Sequence, residues 1–500
     1  MLALMPDIAA PRAAAPATPD RKPASRLGAG RLTALIVATA LLMEQMDSTV
    51  LSTALPTMAR TFGVDPLHMN VALTAYLLSL AVFIPASGKV ADRFGARTVF
   101  RGAILLFTFG SIACGQAPSL TFLVIARFIQ GIGGAMMVPV GRLVLLRTVS
   151  KAELVSAMAW LLVPATIGPV VGPPVGGFIV TYLSWRWIFY INVPIGIVGI
   201  VLATLFIEDV RDTDRGSFDF LGMVLSGVSL SCLMFGLEMS TRAVISLWQT
   251  AGVIGLGLAS GFAYVLHARH HPKPVLDFRL MRTPTFSISV ASGSLFRIAV
   301  GATPFLLPMM LQLGFGMSAV QSGLLTFVSA AGSLAMRVAA PILLRRLGFR
   351  NALVWNGLIT SLFLGSYALF RPGWPILAIY AVLLAGGFFQ SLQFTAYNTI
   401  AYADIPRDRM SAATSFYSTF QQLSLSMGIT VAAVSLAASE ALLRHTGPEL
   451  IDFSIGFLVI TCSAALSSVA SFRLAPDAGD ELSGHRVRPM ISVAGRPADR

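Results

Sequence analysis

Fourteen apolar runs, each near the length needed to cross a bilayer, constrain this chain more than any other feature. They lie at about 32–58, 69–88, 99–115, 119–141, 155–181, 187–207, 219–238, 247–267, 285–312, 318–343, 351–370, 374–398, 412–438 and 451–473. A spanning helix takes roughly 20 predominantly apolar residues. Lipid offers the backbone no hydrogen bonds, so runs of this length read as helices. The sequence is 55% hydrophobic and 12% charged, against about 25% charged in soluble globular chains. An all-α integral membrane protein is therefore expected. This excludes a soluble nucleic-acid binder, and three cysteines are too few for a disulfide-stapled secreted domain. Cys114, Cys232 and Cys462 each fall inside an apolar run and read as small buried side chains.

The ends differ in kind. Residues 1–31 are rich in Ala and Pro with five basic residues, and the stretch 475–500 is polar; both read as disordered tails. The run that follows the first tail is too long for a signal-peptide core and carries acids, so it reads as a retained span. The charges test the layout independently. With the N-terminus in the cytoplasm and the spans alternating, 28 of the 36 Lys and Arg fall on the cytoplasmic side. Only Arg60, Arg186, Arg242, Arg371 and Arg444 fall outside, and Arg127, Arg297 and Arg337 lie within spans. This bias sets orientation. Both termini are expected in the cytoplasm, and the net charge of +13 is mostly a topology signal.

An internal repeat divides the runs. Arg93, Gly95 and Arg97 recur as Arg346, Gly348 and Arg350, each 253 positions later and each after the second span of a six-span block. The expected organisation is a first half at 32–207, a two-helix insert with linkers at 208–284 and a second half at 285–474. Parallel repeats of this kind are a transporter architecture, with the substrate site between the halves near the bilayer midplane.

Four segments stand out. The loop 88–97 reads Gly-Lys-Val-Ala-Asp-Arg-Phe-Gly-Ala-Arg, with Gly88 allowing a tight exit and Asp92 set among Lys89, Arg93 and Arg97. A bland positive-inside loop accounts for the arginines but not for Gly88, Asp92 and Gly95. In the first span, Glu44 and Asp47 lie one helical turn apart on one face. An acid inside a bilayer is costly unless protonated, paired or wet. Two neighbouring acids are therefore candidates for exchanging protons, with a structural hydrogen-bond pair as the alternative. In the fourth span, Arg127 precedes Gln130, Gly131, Gly133 and Gly134 and needs a partner. In the fifth, Gly168-Pro169 and Gly172-Pro173 are followed by Gly176 and Gly177. That spacing lets another helix approach closely and bends this one.

The loop 88–97 resembles the signature loop of the major facilitator superfamily. The first-span motif resembles that of its fourteen-helix drug:proton antiporters, the EmrB/QacA type. The fourth-span Arg motif and the fifth-span Gly-Pro motif resemble the proton-coupling and antiporter signatures of the same group. Further segments, Pro66-Leu-His-Met and Met136 to Arg142 among them, look most like its MdtD-like subgroup. The resemblance implies a major facilitator fold of two six-helix halves plus two inserted helices, in a bacterial inner membrane. It implies proton-driven efflux of small, partly hydrophobic compounds. Glu44, Asp47 and Arg127 would handle the coupling, and Gly88, Asp92, Arg93, Gly95 and Arg97 would form a gate latch. The second-half copy departs from the pattern, with Arg345 in place of the acid and Pro341 in place of the glycine, so no symmetric second latch is expected.

Arg297, in the ninth span, lies near the position corresponding to Asp47. Unpaired there, it favours an organic anion, such as a carboxylate or a metal chelate, as cargo. Paired with Glu44 or Asp47, it leaves a near-neutral cavity. Gln390, Gln393, Tyr397 and Asn398 place polar groups on the twelfth span and are candidates to line the cavity. His267, Arg269, His270 and His271 form a short basic run whose spacing could suggest a metal, but no Cys or acid is expected to complete a site, and they read as a lipid-headgroup-facing loop. No Walker-type loop, nucleophile elbow or His-Glu metal motif occurs. The expectation is a monomeric transporter rather than an enzyme. Its partners are a small-molecule substrate, protons and lipid, with no nucleic acid, no cofactor and the proton gradient as energy source.

Overall fold

The computed structural model describes residues 26–64, 69–207, 218–242, 246–445 and 447–485, and among them there are helices but no strand. The first half contains α1 (Arg26–Phe62), α2 (Asn70–Phe83), α3 (Ser87–Phe94), α4 (Ala96–Gly115), α5 (Leu120–Thr148), α6 (Leu154–Leu161), α7 (Val163–Tyr182), α8 (Trp187–Tyr190) and α9 (Asn192–Phe206). The insert is α10 (Phe220–Arg242) and α11 (Leu247–His270). The second half contains α12 (Pro284–Met309), α13 (Ala319–Asn351), α14 (Gly357–Ser366), α15 (Ile376–Ile400), α16 (Met410–Leu443) and α17 (Leu450–Ala470), followed by the short α18 (Asp480–Ser483).

Eleven helical stretches among the described residues are long and apolar enough to span a membrane, or twelve when α2 and α3, bent by 61°, count as one broken span. That count is lower than fourteen for two local reasons. The Pro-containing run 155–181 is divided into α6 and α7, which meet at Leu162. The runs 318–343 and 351–370 share one continuous stretch, Gln321–Leu369, bent at Gly348.

The repeat is visible in the pairing of helices. In the first half α1 packs on α7 and α9, α2 on α5, and α4 on α9; in the second, α12 packs on α16 and α17, α13 on α15, and α14 on α17. These are the same partnerships, span for span. The loop glycines match as well. Gly95 (φ 88°, ψ 134°) and Gly348 (φ 72°, ψ 165°) both take a backbone conformation open to glycine and strained for other residues. A shared sequence signal thus encodes one shared bend. The insert packs through α10 against α2 of one half and α16 of the other.

The buried core is continuous between the halves at the end carrying the 88–97 loop, where Ala91, Phe100, Leu143, Phe349 and Phe416 belong to one cluster. Towards the other end each half has a core of its own. Of the two expected tails, 1–25 and 486–500 lie outside the described residues. The stretch 475–485 does not behave as a tail. Leu482 is buried and Glu481 Oε2 accepts from Lys151 Nζ at 2.5 Å, because an apolar side chain here finds a place beside the second-half loop. Cys114 is buried as expected, but Cys462 is exposed on the apolar outer surface.

Candidate functional site

The first-half site is built around one carboxylate. Asp47, on α1, is 3% exposed. Its Oδ2 accepts from Arg127 of α5 at 2.5 Å. Its Oδ1 accepts from Gln130 Nε2 at 2.8 Å and from Asn192 Nδ2 at 3.0 Å. Arg127 is fully buried, also donates to Gln130 Oε1 at 2.7 Å, and stands 4.5 Å over the Tyr76 ring. Ser111 Oγ accepts from Gln130 and Asn192. Four helices, α1, α4, α5 and α9, therefore converge on one ion pair.

Removing two charges from water costs several kcal/mol per ion, and mutual attraction offsets this only with good geometry and further hydrogen bonds. The two side-chain amides supply those bonds here. Glu44, one turn earlier on α1, is placed differently. It is 9% exposed, and its Oε2 has no hydrogen-bond partner among the described residues. The site thus holds one carboxylate locked by three donors and a second with an oxygen free for a proton.

The Gly-Pro motif lies over this turn. Gly168 packs on Gln45 and Gly172 on the Thr49 side chain, so a Cβ at either position would collide with α1 on one or other side of Asp47. Thr49 Oγ1 also donates to the Gly168 carbonyl at 3.4 Å. Gly176 is buried, whereas a Cβ at Gly177 would meet open space, so Gly177 makes no close approach. The side chains of Pro169 and Pro173 lie outside the described residues.

The 88–97 loop joins the two halves. Gly88 N donates to Ser415 Oγ of α16 at 2.6 Å, and Ser87 Oγ is 2.9 Å from the same oxygen. Asp92 Oδ2 accepts from Ser411 at 2.6 Å and Oδ1 from Arg147 at 3.3 Å. A Cβ at Gly88 would strike the Ser411 carbonyl. Arg97 donates to the Thr204 carbonyl in its own half and Arg93 is exposed, so among the described residues neither bonds across the junction. No equivalent acid occurs in the second-half loop. Arg337, within α13 and ahead of that loop, makes a separate contact between the halves, its NH1 donating to the Ala159 carbonyl at 3.1 Å.

Arg297 pairs with neither Glu44 nor Asp47, since Asp47 is taken by Arg127. It lies on α12, 253 positions after Glu44, 1% exposed, and donates to the Tyr417 hydroxyl. Its guanidinium is 4.6 Å from the Tyr417 ring centroid. A second buried arginine, Arg142 of α5, stands 5.5 Å from the same ring and donates to Tyr402, Ser418 and Gln421. Neither has a carboxylate partner among the described residues. The sequence reading missed Arg142 because it sits at the end of a span, where a loop arginine is ordinary.

The four cavity candidates on α15 divide. Gln390 lines a small cavity with Phe296, Thr303, Thr360 and Tyr367. Gln393 instead donates to the Leu353 carbonyl and accepts from Asn356. Tyr397 reaches Ser467 and Ser471, and Asn398 Nδ2 donates to the Phe394 carbonyl. Gln393 and Tyr397 thus brace helix contacts rather than line a cavity, and Asn398 is buried among its neighbours. The histidine run is corrected too. Asp219, ahead of α10, lies against His267 and His271, because the insert folds back on itself.

Comparison with known proteins agrees with this architecture. The model of the "Major Facilitator Superfamily" matches residues 37–429. The chain is 40% identical over 404 residues to the "Putative multidrug resistance protein MdtD" of Salmonella heidelberg (strain SL476), covering 80% of this chain and 85% of that one. The protein of the same name from Salmonella typhimurium (strain LT2) matches equally. The human organic anion transporter MFSD10 superposes with a TM-score of 0.64 at 15% identity, covering 88% of this chain and 99% of that one. The proton:xylose symporter XylE superposes with 0.61 at 15% identity, covering 92% and 98%. At that identity these two speak for the fold alone.

Proposed function

Because the chain belongs to the Major Facilitator Superfamily, and is a transporter rather than an enzyme, we propose that it exports small, partly hydrophobic compounds in exchange for protons. The observation that carries this is the buried Asp47–Arg127 pair with Glu44 beside it. A proton delivered to Asp47 cancels the charge that holds Arg127, Gln130 and Asn192 together. The ion pair then loses its Coulombic reason to stay closed, and four helices are released at once. The relatives' name, which speaks of multidrug resistance, supports the cargo class. Hydrogen bonds between the halves at Gly88, Asp92 and Arg337 support a cycle in which the inner gate is shut in this conformation. The test is transport in proteoliposomes under an imposed pH gradient, screened over cations, neutral drugs and carboxylates.

The bacterial relatives support an inner-membrane location, and the charge bias supports an orientation with both ends of the chain in the cytoplasm. Reporter fusions at Arg215 and at both ends should all read inside, and an outside signal from either end contradicts this orientation.

A second reading of the cargo rests on Arg142 and Arg297. Two buried guanidiniums without a carboxylate partner among the described residues favour a substrate carrying an acidic group. A hydrogen bond to a charged group contributes about 1.5–3 kcal/mol, so Arg297→Gln is expected to weaken carboxylate transport by roughly ten- to a hundredfold. Neutral cargo should be nearly unaffected. Equal loss for both classes contradicts the anion reading.

A further inference from the structure

We propose that Asp219, His267 and His271 form a site for a divalent transition-metal ion of the zinc class, at the joint between the insert and the second half. His267 lies in the last turn of α11 and His271 is the capping residue that follows the helix, held by a bond from its N to the His267 carbonyl. Their rings are 5.2 Å apart, inclined by 33°. Asp219 arrives from the segment ahead of α10 and is 2% exposed. His267 Nε2 lies 2.7 Å from Asp219 Oδ1, and one donor atom from each of the three residues lies within 4.8 Å of the others. The intervening His270 turns away to the Leu266 carbonyl and is exposed. Two imidazoles and a carboxylate with a fourth position open are a ligand set for Zn²⁺.

The surroundings hold these groups in place. Gly222 N donates to Asp219 Oδ1 at 2.8 Å and Val275 N to Oδ2 at 3.3 Å. Such outer hydrogen bonds orient a ligating carboxylate. A Cβ at Gly222 would overlap the Asp219 carboxylate, so the glycine leaves it room. The 271–277 segment is pinned by Tyr264, whose hydroxyl donates to the Leu276 carbonyl at 3.0 Å and accepts from Leu276 N at 2.6 Å. On His267 the ion takes the Nε2 position that now faces Asp219 Oδ1, and the neutral ring carries its single proton on Nδ1. On His271, offering Nε2 to the ion places the ring proton on Nδ1 and gives up the 3.3 Å bond from Lys273 N.

The competing description is a capping carboxylate hydrogen-bonded to His267, in which His271 only ends α11 and accepts from Lys273 N. The positive charge of Lys89, which feels Asp219 electrostatically, works against a cation here. Direct titration separates the two. The full-length protein, prepared without a polyhistidine tag and freed of metal by chelator, is titrated with Zn²⁺ calorimetrically and with Co²⁺ by visible absorption. One ion per chain is expected, with nitrogen-ligand Co²⁺ bands. His267→Ala and His271→Ala should each weaken binding at least tenfold, and His270→Ala should leave it unchanged. Asp219→Asn also disturbs the start of α10, so the two histidine variants carry the decision. No stoichiometric binding, or binding indifferent to His267→Ala and His271→Ala, overturns the site. Because Zn²⁺ binding is read directly, neither result depends on what the transporter carries.

Discussion

Arg127→Met is expected to abolish transport and to destabilise the protein by about 3–5 kcal/mol, the usual cost of leaving one member of a buried ion pair without its partner. Asp47 would keep the two amide donors, Gln130 and Asn192, but face no cation in a region closed to water. The double variant Arg127→Met with Asp47→Asn removes both charges and should regain most of the lost stability while remaining inactive. Thermal unfolding in detergent and transport in proteoliposomes read the two effects separately. An Arg127→Met protein with unchanged stability and uphill transport would show that the pair is incidental.

The second large effect is expected at the junction of the halves. Gly88→Leu places a side chain where the Ser411 carbonyl and Ser415 hydroxyl now sit. The inner gate then cannot close, and net transport should fall to near background. Asp92→Asn is gentler. It keeps the shape but removes the charge that Arg147 and Ser411 address, so transport should be crippled with membrane insertion intact. Spin labels at the exposed Arg93 and Arg407 report the gate directly. Both variants should lengthen the label-to-label distance, Gly88→Leu more than Asp92→Asn. A wild-type distance distribution with lost transport would place the defect elsewhere.

Much of this was legible in the sequence, for identifiable reasons. Apolar runs and the Lys/Arg bias are imposed by the bilayer itself, so the layout could be read before any contact was known. The repeat at Arg93, Gly95 and Arg97 could be read because a backbone bend open to glycine must recur wherever the bend recurs. Arg127 announced that it needed a partner, and Gln130, three residues on, shared its helix face. Asn192 was a lone amide at the start of an apolar run.

What stayed hidden was long-range. Ser111 looks like any serine in a membrane helix, yet it receives both amides that hold Asp47. Arg142 has the position of a topology charge, and only the fold places it beside Tyr417. Asp219 is 48 positions from His267, so no local pattern could join them. Gln393 and Tyr397 had the polarity of cavity residues, but their partners on neighbouring helices turn them into braces. Polarity in a membrane helix predicts that a partner exists and leaves open whether it is substrate, water or another helix.

The central claim is that a proton taken up at the Asp47–Glu44 face is exchanged for cargo. Its most direct test is the number of protons moved per substrate in proteoliposomes under a fixed pH gradient, for wild type, Glu44→Gln, Asp47→Asn and the double variant. Asp47→Asn should lose concentrative transport while keeping part of downhill exchange. Glu44→Gln should move fewer protons per substrate, and the double variant should be fully uncoupled. A double variant that still concentrates substrate with the wild-type proton count would contradict it.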